Sequence, residues 1–340
     1  MAGKGNGGAE TYAADMIIAL QEAGIDQRVV VHPQQARLGD LLQAGVNAVT
    51  APLQRPLRWL QRRAVAKQIS EFKPDLIHCW MRRAAELVAP TQLPVIGWFG
   101  GYYEPRHFAQ CSHFVGVTPD IVSHQRTQGV AADRSFFVPT FPVIATQRPV
   151  QGRAELQTAP DATVLLALSR LHPKKGLDTL LTALAELPGC VLWLAGDGPL
   201  LGALQTQARA LGVAERVRFL GWRDDRGALL QAADICVLPS RYEPFGTVML
   251  EAWASDTPLV AAAAAGPAAY VRNGENGMLV PIDDAVALAG AIRQVQQDRS
   301  LRARIISGGQ ATYQAQFTRP AVVRQMRGLY DQIVAQGRGS

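Results

Sequence analysis

The sequence is poor in cysteine, in long hydrophobic runs and in metal-ligand motifs. Its four cysteines lie far apart and form no Cys-x-x-Cys pair, a usage that suits a reducing cytoplasm rather than a disulfide framework. The Ala-rich run at residues 257–271 is interrupted by Gly266 and Pro267 and is too short to cross a bilayer, and no signal peptide is visible. No Asp-x-Asp motif occurs, and the six histidines show no ligand spacing. We therefore predict a cytoplasmic protein without a metal or a bound cofactor.

The composition predicts a globular α/β protein. The chain has 340 residues, 48% of them hydrophobic, with 31 glycines and 21 prolines, which fits two domains of ordinary size. The net charge of +6 suits phosphorylated ligands, an anionic membrane or nucleic acid alike. Nucleic-acid binding has only this charge in its favour, because no basic motif interleaved with aromatic residues is present. We therefore expect no nucleic-acid partner.

Strand and helix patterns alternate in two series, separated by a Pro-rich segment at residues 139–152 that reads as a linker. The pattern predicts two Rossmann-like domains facing a cleft, at residues 1–145 and 146–318, with residues 319–340 as a helix that packs back toward the first domain. Strands are predicted at residues 28–32, 75–79, 94–99, 114–117 and 136–138, then at 163–169, 190–196, 217–220, 233–239, 258–262 and 278–280. Helices are predicted at residues 11–23, 57–72 and 120–128, then at 176–187, 200–211, 226–232, 283–298, 300–317 and 320–335.

The segment at residues 242–252 is the most informative part of the chain. A polar loop carries Glu243 after an apolar strand pattern, and a helix then opens at Gly246 and contains Glu251. Unpaired amides of the first helical turn favour a phosphate, whereas carboxylates accept the hydrogen bonds that sugar and ribose hydroxyls donate. The combination predicts a nucleotide-sugar site, with the amides supplied by Gly246, Thr247 and Val248.

Other polar residues follow neighbouring strands of the second half and belong to the same predicted site. Arg170 and Lys175 would neutralise a diphosphate, the arginine through its planar fork and the lysine as a point charge. If these two residues were considered in isolation, we would interpret them as solvated surface cations. They follow the carboxyl end of a strand, as the segment with the two glutamates does, and this shared position favours the functional interpretation. Further strand-end candidates are Gly198, Gly221 and Trp222, of which the last two lie where a base would bind.

An ordered set of motifs in the second half carries a family resemblance. The motifs are Ser169-Arg170-Leu171 with Lys175-Gly176, Gly196-Asp197-Gly198-Pro199, Val217-Arg218-Phe219-Leu220-Gly221, Glu243-Pro244-Phe245-Gly246 through Glu251-Ala252, and Asn273-Gly274-Glu275-Asn276-Gly277. This half resembles the donor-binding domain of the retaining glycosyltransferases of family 4, the group 1 glycosyl transferases, which have the two-Rossmann GT-B fold.

The resemblance implies a metal-independent hexosyltransferase that moves a sugar from a nucleotide-diphosphate sugar to a hydroxyl acceptor. It implies that Arg170 and Lys175 bind the diphosphate, that Glu243 contacts the donor sugar and that Glu251 holds the ribose hydroxyls; Phe245 lies within the same motif. Family frequency favours a UDP-sugar and a saccharide or lipid-linked acceptor of the cell envelope, such as lipopolysaccharide.

The first half resembles the family more weakly. Residues 7–10 look like the family's N-terminal glycine loop, which places Gly8 near the donor phosphates and Glu10 near the acceptor. A strand usually precedes that loop, so either the first strand is missing from this chain or the sheet is built without it. Two departures concern the site: Gly100 stands where many members have a cleft histidine, and Ala269 stands where an acid is common. The predicted acceptor-binding residues are Glu10, Trp80, Arg82, Gly101 and Tyr102.

Alternative interpretations remain open at this point. The Gly-x-Gly-x-x-Gly pattern at residues 3–8 lacks a preceding strand and does not predict nicotinamide binding. His78, at a strand end, is retained as a cleft candidate. A nucleotide-sugar epimerase of the same fold would need acid/base carboxylates and no second substrate, and a non-catalytic partner subunit could keep the fold without activity. Intact glutamates and diphosphate cations favour the enzyme.

The last sequence feature is a basic amphipathic helix. No acidic residue occurs between Leu41 and Ser70, and Trp59 lies among the cations. Such a helix either lies on an anionic membrane leaflet or is an ordinary domain helix with its apolar stripe toward the core and its arginines in solvent. The cations are Arg55, Arg58, Arg62, Arg63 and Lys67, and the apolar stripe is Leu53, Leu57, Leu60 and Ala64.

Overall fold

The computed structural model describes residues 1–3, 8–51, 58–144 and 152–338. Two compact units are present: Met1–Phe141 with Arg319–Ser340, and Pro142–Thr318. None of the helices described is both long enough and apolar enough to span a bilayer. Residues 4–7, which include the first residue of the predicted glycine loop, and residues 52–57 of the basic segment, with Leu53, Arg55 and Leu57, lie outside the described residues.

The second unit is a six-stranded parallel sheet flanked by helices. Its strands are β7 (Thr163–Leu168), β8 (Cys190–Ala195), β9 (Val217–Gly221), β10 (Ile235–Leu238), β11 (Leu259–Ala262) and β12 (Met278–Val280). Its helices are α6 (Leu177–Ala185), α7 (Leu201–Ala210), α8 (Arg226–Ala232), α9 (Thr247–Ala254), α10 (Ala265–Tyr270), α11 (Ala285–Gln297) and α12 (Arg299–Gln316).

The strand order of the second unit creates a topological switch point. The order is β12-β11-β10-β7-β8-β9, so the chain leaves β7 toward one edge and returns at β10 to build the other. A crevice opens beyond the carboxyl ends of β7 and β10, where open α/β sheets bind ligands. The central strands are almost fully buried on both faces, as continuous apolar runs such as Leu165–Leu168 require.

The first unit contains the remaining strands. They are β1 (Arg28–Val31), β2 (Asn47–Thr50), β3 (Ile77–Trp80), β4 (Val95–Phe99), β5 (His113–Gly116) and β6 (Ser135–Phe137). Its helices are α1 (Gly8–Glu22), α2 (Leu38–Gln43), α3 (Arg58–Phe72), α4 (Arg82–Ala85), α5 (Pro119–Thr127) and α13 (Arg319–Arg338). The carboxyl-terminal helix α13 lies in this unit, where the Tyr330 hydroxyl and His78 Nδ1 are 2.6 Å apart.

The sheet of the first unit is built in two parts. One part pairs β1 with β2, and the other has the order β3-β4-β5-β6, with parallel pairing throughout. Beside β1, the amino group of Met1 donates to the Val30 carbonyl at 2.7 Å, and the His32 amide donates to the Met1 carbonyl at 3.2 Å. Among the described residues no strand precedes β1 along the chain, and Met1 makes this one pair of hydrogen bonds beside it.

Several elements differ from the sequence predictions. The short elements α2, β2, α4 and α10 were not predicted. Strand β2 has no buried residue that would give it an apolar pattern, and α10 contains Gly266 and Pro267, which are typical of loops. Trp80, predicted to follow its strand, is the last residue of β3, and Arg82 begins α4. Gly8, predicted in a loop, is the first residue of α1.

Glycine allows a close approach between two loops of the second unit. Gly176 has a φ of 61° and follows the loop that leaves β7, and a β-carbon there would overlap the carbonyl oxygen of Pro239, just after β10. The amides of Arg241 and Tyr242 both donate to the Lys174 carbonyl, at 2.9 and 3.1 Å. The two loops at the switch point are therefore joined backbone to backbone.

We predict that Gly176→Ala destabilises the protein. The substitution adds backbone strain of about 1–3 kcal/mol and a steric overlap with Pro239. The matched control is Gly202→Ala in α7, where a β-carbon meets nothing within 4 Å and helix propensity should add up to about 1 kcal/mol of stability. Urea unfolding measures both; equal stability of the two variants would contradict the close approach.

Candidate functional site

Lys175 and Glu243 form an ion pair at the carboxyl ends of β7 and β10. Lys175 Nζ lies 2.6 Å from Glu243 Oε2, and both side chains are largely withdrawn from solvent. The Ser240 hydroxyl donates to the same carboxylate oxygen at 3.2 Å. The structure therefore brings together two residues that are 68 positions apart and that the sequence assigned to adjoining parts of one ligand.

The amino end of α9 lies beside this pair, and the first amides of a helix have no partner within the helix. Gly246 caps the helix with a φ of 92° and provides no side-chain hydrogen bond to the first turn. A β-carbon at Gly246 would lie 3.3 Å from Glu243 Cγ, so the cap and the carboxylate are in contact. Thr247 is exposed and Val248 half-buried. Positive helix-end potential and a lysine thus lie within one small region, which suits an anion.

Glu251 lies deeper, on the buried side of α9. Only 2% of its side chain is exposed, and its Oε1 lies 2.6 Å from Arg226 Nη1. Within the described part of the chain, Oε2 has no hydrogen-bond partner. Burial raises the pKa of this carboxyl above its ordinary value, and the charge of Arg226 opposes that shift. A carboxylate with one oxygen paired and one open can accept hydrogen bonds from a pair of hydroxyl groups.

A second ionic cluster fixes the loop after β10. Arg241 binds both carboxylate oxygens of Asp178, at 2.8 and 2.6 Å, in the fork geometry of a bidentate pair. It also lies 2.6 Å from Asp283. Arg241 lowers the pKa of both Asp178 and Asp283 below their ordinary values. These bonds tie the loop to the start of α6, so Glu243 is held by a rigid support rather than by an isolated turn.

The loops after β7 and β8 are also joined. The Leu171 amide donates to the Asp197 carbonyl at 2.8 Å, and a β-carbon at Gly198 would overlap the Leu171 carbonyl oxygen. Arg170 lies at this junction and is exposed. Gly221 ends β9, and Trp222 beyond it is 69% exposed. An indole left so open is available to stack on a planar ligand.

Phe245 is placed differently from its neighbours in the motif. Its ring is 5% exposed and packs against Tyr270 and Phe317, with ring centres 5.7 and 6.2 Å away. Its backbone, close to Gly266, is the part that borders the amino end of α9. The side chain therefore acts in packing.

In the first unit, Trp80 belongs to a buried aromatic cluster. Its ring stacks on His78 with centres 4.0 Å apart and lies 5.9 Å from Trp98. Trp98 in turn stacks on Tyr12 at 5.5 Å. A β-carbon at Gly100 would overlap the Trp98 ring. The Trp98 indole thus fills the space that a side chain at position 100 would occupy.

Of the other acceptor candidates of the first unit, Arg82, Tyr102 and Glu10 lie nearer the surface than Trp80. Arg82 pairs with Glu86 at 2.8 Å and is half exposed, and the Tyr102 hydroxyl donates to the Asp120 carboxylate. Gly101 is buried, and the partly buried Glu10 carboxylate packs beside Gly3.

His78 is a half-buried, neutral residue. Burial and the nearby terminal amine lower its pKa to about 3, and Tyr330 occupies Nδ1. These contacts give it a role in packing α13 onto β3.

Sequence reasoning missed Arg226, Ser240 and Trp98. Arg226 opens a helix that was predicted, but nothing in its local sequence signals a partner 25 residues later. Ser240 directly follows β10, so its strand-end position was the available signal. The role of Trp98 follows only from its contact with the position of Gly100.

Comparison with known proteins adds two family matches. The family described as "Glycosyltransferase Family 4" matches residues 6–141, and the family described as "Glycosyl transferases group 1" matches residues 151–312. The chain is 36% identical to the lipopolysaccharide core biosynthesis glycosyltransferase LpsE of Rhizobium meliloti, covering 93% of this chain and 94% of LpsE. It is 32% identical to LpsD of the same organism, with 97% and 96% covered.

Solved structures match over nearly the whole chain. The Anabaena protein Alr3699/HepE in complex with UDP-glucose has a TM-score of 0.82 at 25% identity, covering 97% of both chains. WaaG, a glycosyltransferase involved in lipopolysaccharide biosynthesis, has a TM-score of 0.71 at 18% identity, with 97% and 96% covered. The predicted GT-B fold, with two Rossmann-like domains, is confirmed.

We predict that Glu251 makes stability fall as pH rises. Its pKa in the folded protein lies above the ordinary 4.5, so the folded state binds the proton more tightly than the unfolded state. The stabilisation is complete below pH 4.5 and is lost as pH rises through the folded-state pKa. Between pH 4 and 7, the free energy of unfolding of the wild type should therefore fall relative to that of Glu251→Gln. A difference independent of pH would contradict the assignment.

Proposed function

The chain belongs to the group 1 glycosyl transferases of glycosyltransferase family 4, and on that premise we propose that it moves a sugar from a UDP-sugar to a saccharide acceptor in lipopolysaccharide core synthesis. The observation that carries the proposal is the Lys175–Glu243 pair at the amino end of α9, with Glu251 one turn inside. The cation and the helix amides match the phosphates of a nucleotide-sugar, and the two carboxylates match the hydroxyl groups of its donor sugar and its ribose.

Each part of the donor has a proposed partner. Arg170 and Lys175 bind the diphosphate together with the amides at Gly246 and Thr247, and Glu251 accepts from the ribose hydroxyls through its open Oε2. Glu243 takes over the sugar hydroxyls when the phosphate draws Lys175 away from it. Trp222 borders the base. HepE was solved with UDP and with UDP-glucose, which supports a UDP-sugar here.

The proposed reaction retains the anomeric configuration and needs no metal ion. The acceptor oxygen forms its bond to the anomeric carbon on the face from which the diphosphate leaves. The bond to the phosphate oxygen breaks, and that oxygen takes the acceptor's proton. Negative charge grows on the leaving diphosphate, and fixed cations and amides lower the barrier by stabilising it. This route does not require a histidine at position 100.

The acceptor is proposed to be a growing core oligosaccharide on its lipid. LpsE and LpsD are named for lipopolysaccharide core biosynthesis and match along nearly their whole length, which supports this class. Arg82 and Tyr102, with Glu10, are the proposed contacts in the first unit. Their carboxylate partners, Glu86 and Asp120, hold the two side chains in place. A cytoplasmic location follows from such an acceptor.

We predict separate effects for the four charged donor-site residues. Glu251→Ala should weaken UDP binding, because the ribose loses its acceptor, whereas Glu243→Ala should chiefly lower turnover. Arg170→Ala and Lys175→Ala should each slow transfer by about 10²-fold, the typical effect of removing one stabilising group from a developing anion. Calorimetric titration with UDP and a transfer assay on a purified core acceptor measure the two quantities.

The matched control for Lys175 is its neighbour Lys174, whose ammonium lies 4.2 Å over the Tyr242 ring rather than on Glu243. Lys174→Ala should transfer at close to the wild-type rate. Equal losses in both lysine variants would contradict the assignment of Lys175. Transfer should also persist in excess chelator, and isomerised sugar formed from donor alone would favour an epimerase instead.

The surface of α3 supports peripheral attachment to an anionic membrane. Its only buried residue in the described part is Gln61, while Trp59 is 63% and Leu60 38% exposed. Ala64 and Val65 pack against the small cluster of Ala2, Ala51 and Leu87. Only a short part of the helix therefore packs against the rest of the unit. The indole and the leucine remain in solvent beside arginines, and this composition suits a membrane interface.

We predict salt-sensitive binding to anionic liposomes through this face. Each cation contributes about 1 kcal/mol near an anionic surface, so a triple substitution to Gln on α3 should weaken binding by about 100-fold. A triple substitution to Gln in the second unit removes the same charge and should not weaken binding. The test set is Arg58, Arg63 and Lys67, and the control set is Arg209, Arg293 and Arg299. Sedimentation at low and high salt measures binding; no binding at low salt, or equal losses in both sets, would remove the docking surface.

A further inference from the structure

Arg226 is the charged partner of the buried carboxylate in the second unit's site. It is the first residue of α8 and follows Trp222 closely along the chain. Its Nη1 lies 2.6 Å from Glu251 Oε1, and 43% of its side chain is exposed, against 2% of the glutamate. The next four residues of α8 are buried, so the packing of this helix fixes where the arginine side chain begins.

Arg226 supplies the opposite charge for Glu251. Burial raises the pKa of this carboxyl, and the charge of Arg226 opposes the rise. The Cys236 thiol of β10 also interacts with the carboxylate, but burial and the glutamate's charge raise its pKa, so it stays a neutral thiol. Strand β11 is apolar throughout, and α12 meets α9 where Gly309 lies against Trp253. Among the described residues, Arg226 is therefore the cation that faces this carboxylate.

The strength of Glu251 as a hydrogen-bond acceptor depends on this charge. Removing one partner of a buried ion pair leaves an uncompensated charge, and a buried carboxylate responds by taking up a proton more readily. A protonated carboxyl group has fewer acceptor sites. Hydrogen bonds to an ionised group are also roughly twice as strong as those between neutral groups. Without Arg226, Glu251 would accept only weakly from a hydroxyl group.

The ion pair also determines which oxygen of Glu251 is left for a ligand. Arg226 lies on Oε1, whereas Oε2 has no hydrogen-bond partner among the described residues. A carboxylate that is held at one oxygen keeps the other in a fixed direction. Such preorganisation favours binding, because less freedom is lost when the ligand arrives.

We propose that Arg226 is a positioning residue for the nucleotide: it holds Oε1 of Glu251 in an ion pair, so that Oε2 of an ionised carboxylate accepts from the ribose hydroxyls. This inference rests on the proposed donor site, in which Glu251 binds the ribose. Arg226 acts through the carboxylate. Its loss therefore weakens recognition of the ribose hydroxyls and leaves recognition of the diphosphate in place.

The test compares UDP with 2′,3′-dideoxy-UDP, which lacks both ribose hydroxyls, by calorimetric titration. The wild type should prefer UDP by about 100-fold or more, since two hydrogen bonds to a charged group are at stake, and Glu251→Ala should abolish this preference. Arg226→Met and Arg226→Gln should each reduce the preference about tenfold, because the bonds to a neutral carboxyl are weaker. Affinity for the dideoxy compound should change by less than about twofold.

The same preference measured against pH separates the proposed role from a merely structural one. Ionisation of the nucleotide's phosphate affects both compounds alike and cancels in the ratio. In Arg226→Met the preference for UDP should rise between about pH 5.5 and 8, as Glu251 loses its proton, whereas the wild-type preference should change less.

Arg302→Met is the matched control. Arg302 has a similar exposure of 36% and also pairs with a carboxylate, that of Asp234 at 3.6 Å. Asp234 directly precedes β10 and so lies at the amino end of that strand, at the opposite edge of the sheet from the site. This variant should keep the wild-type preference at every pH.

The outcomes distinguish the inference from the function on which it rests. A full wild-type preference in both Arg226 variants, or equal weakening of both nucleotides, would overturn the inference and leave the donor site standing. Tighter UDP binding by Arg226→Met would also overturn it, since the arginine would then block the carboxylate. A wild type that does not distinguish the two nucleotides, or a preference that survives Glu251→Ala, would remove the ribose assignment of Glu251 and the inference with it.

Discussion

The contact between backbone atoms at Gly176 and Pro239 is the constraint on which the donor site depends. Because no β-carbon intervenes, the loop leaving β7 lies directly on the loop leaving β10, and Lys175 reaches Glu243 at 2.6 Å. Gly198 gives the loop after β8 the same freedom to approach. The strand order places the loops after β7 and β10 at the switch point, with the loop after β8 beside them. The charges of Lys175 and Glu243 are thus brought together before a ligand arrives, and such preorganisation is what stabilises a developing charge.

The carboxylates of this site differ because their surroundings differ. Glu243 is partly buried and is paired with a lysine and a serine, and we propose that a competing phosphate releases it. Glu251 is buried against Arg226, with one oxygen open. A buried acceptor recognises a hydroxyl group selectively, because leaving it unpaired is costly. On the proposed assignment, the site therefore combines an exchangeable contact for the reacting sugar with a fixed one for the nucleotide.

Much of this could be predicted from the sequence, because strand, turn and helix signals are local. The parallel strands, Gly246 at the start of α9 and the strand-end position of Arg170 follow from short patterns. Contacts across the chain do not: nothing near Arg226 indicates Glu251, and only the structure has the Trp98 ring filling the space at Gly100. The short, half-exposed β2 has no alternating pattern to reveal it. The division of the first unit's sheet into two parts likewise depends on which strand edges pair, which local sequence patterns do not indicate.

A crystal structure of the protein with UDP, grown in the presence of chelator, tests the central claim most directly. The account predicts ribose hydroxyls within hydrogen-bond distance of Glu251 and a diphosphate bound by Arg170, Lys175 and the first amides of α9. It also predicts that Lys175 moves from Glu243 to a phosphate oxygen. A nucleotide bound away from the switch point, or a diphosphate bound with the Lys175–Glu243 pair unbroken, would contradict the account.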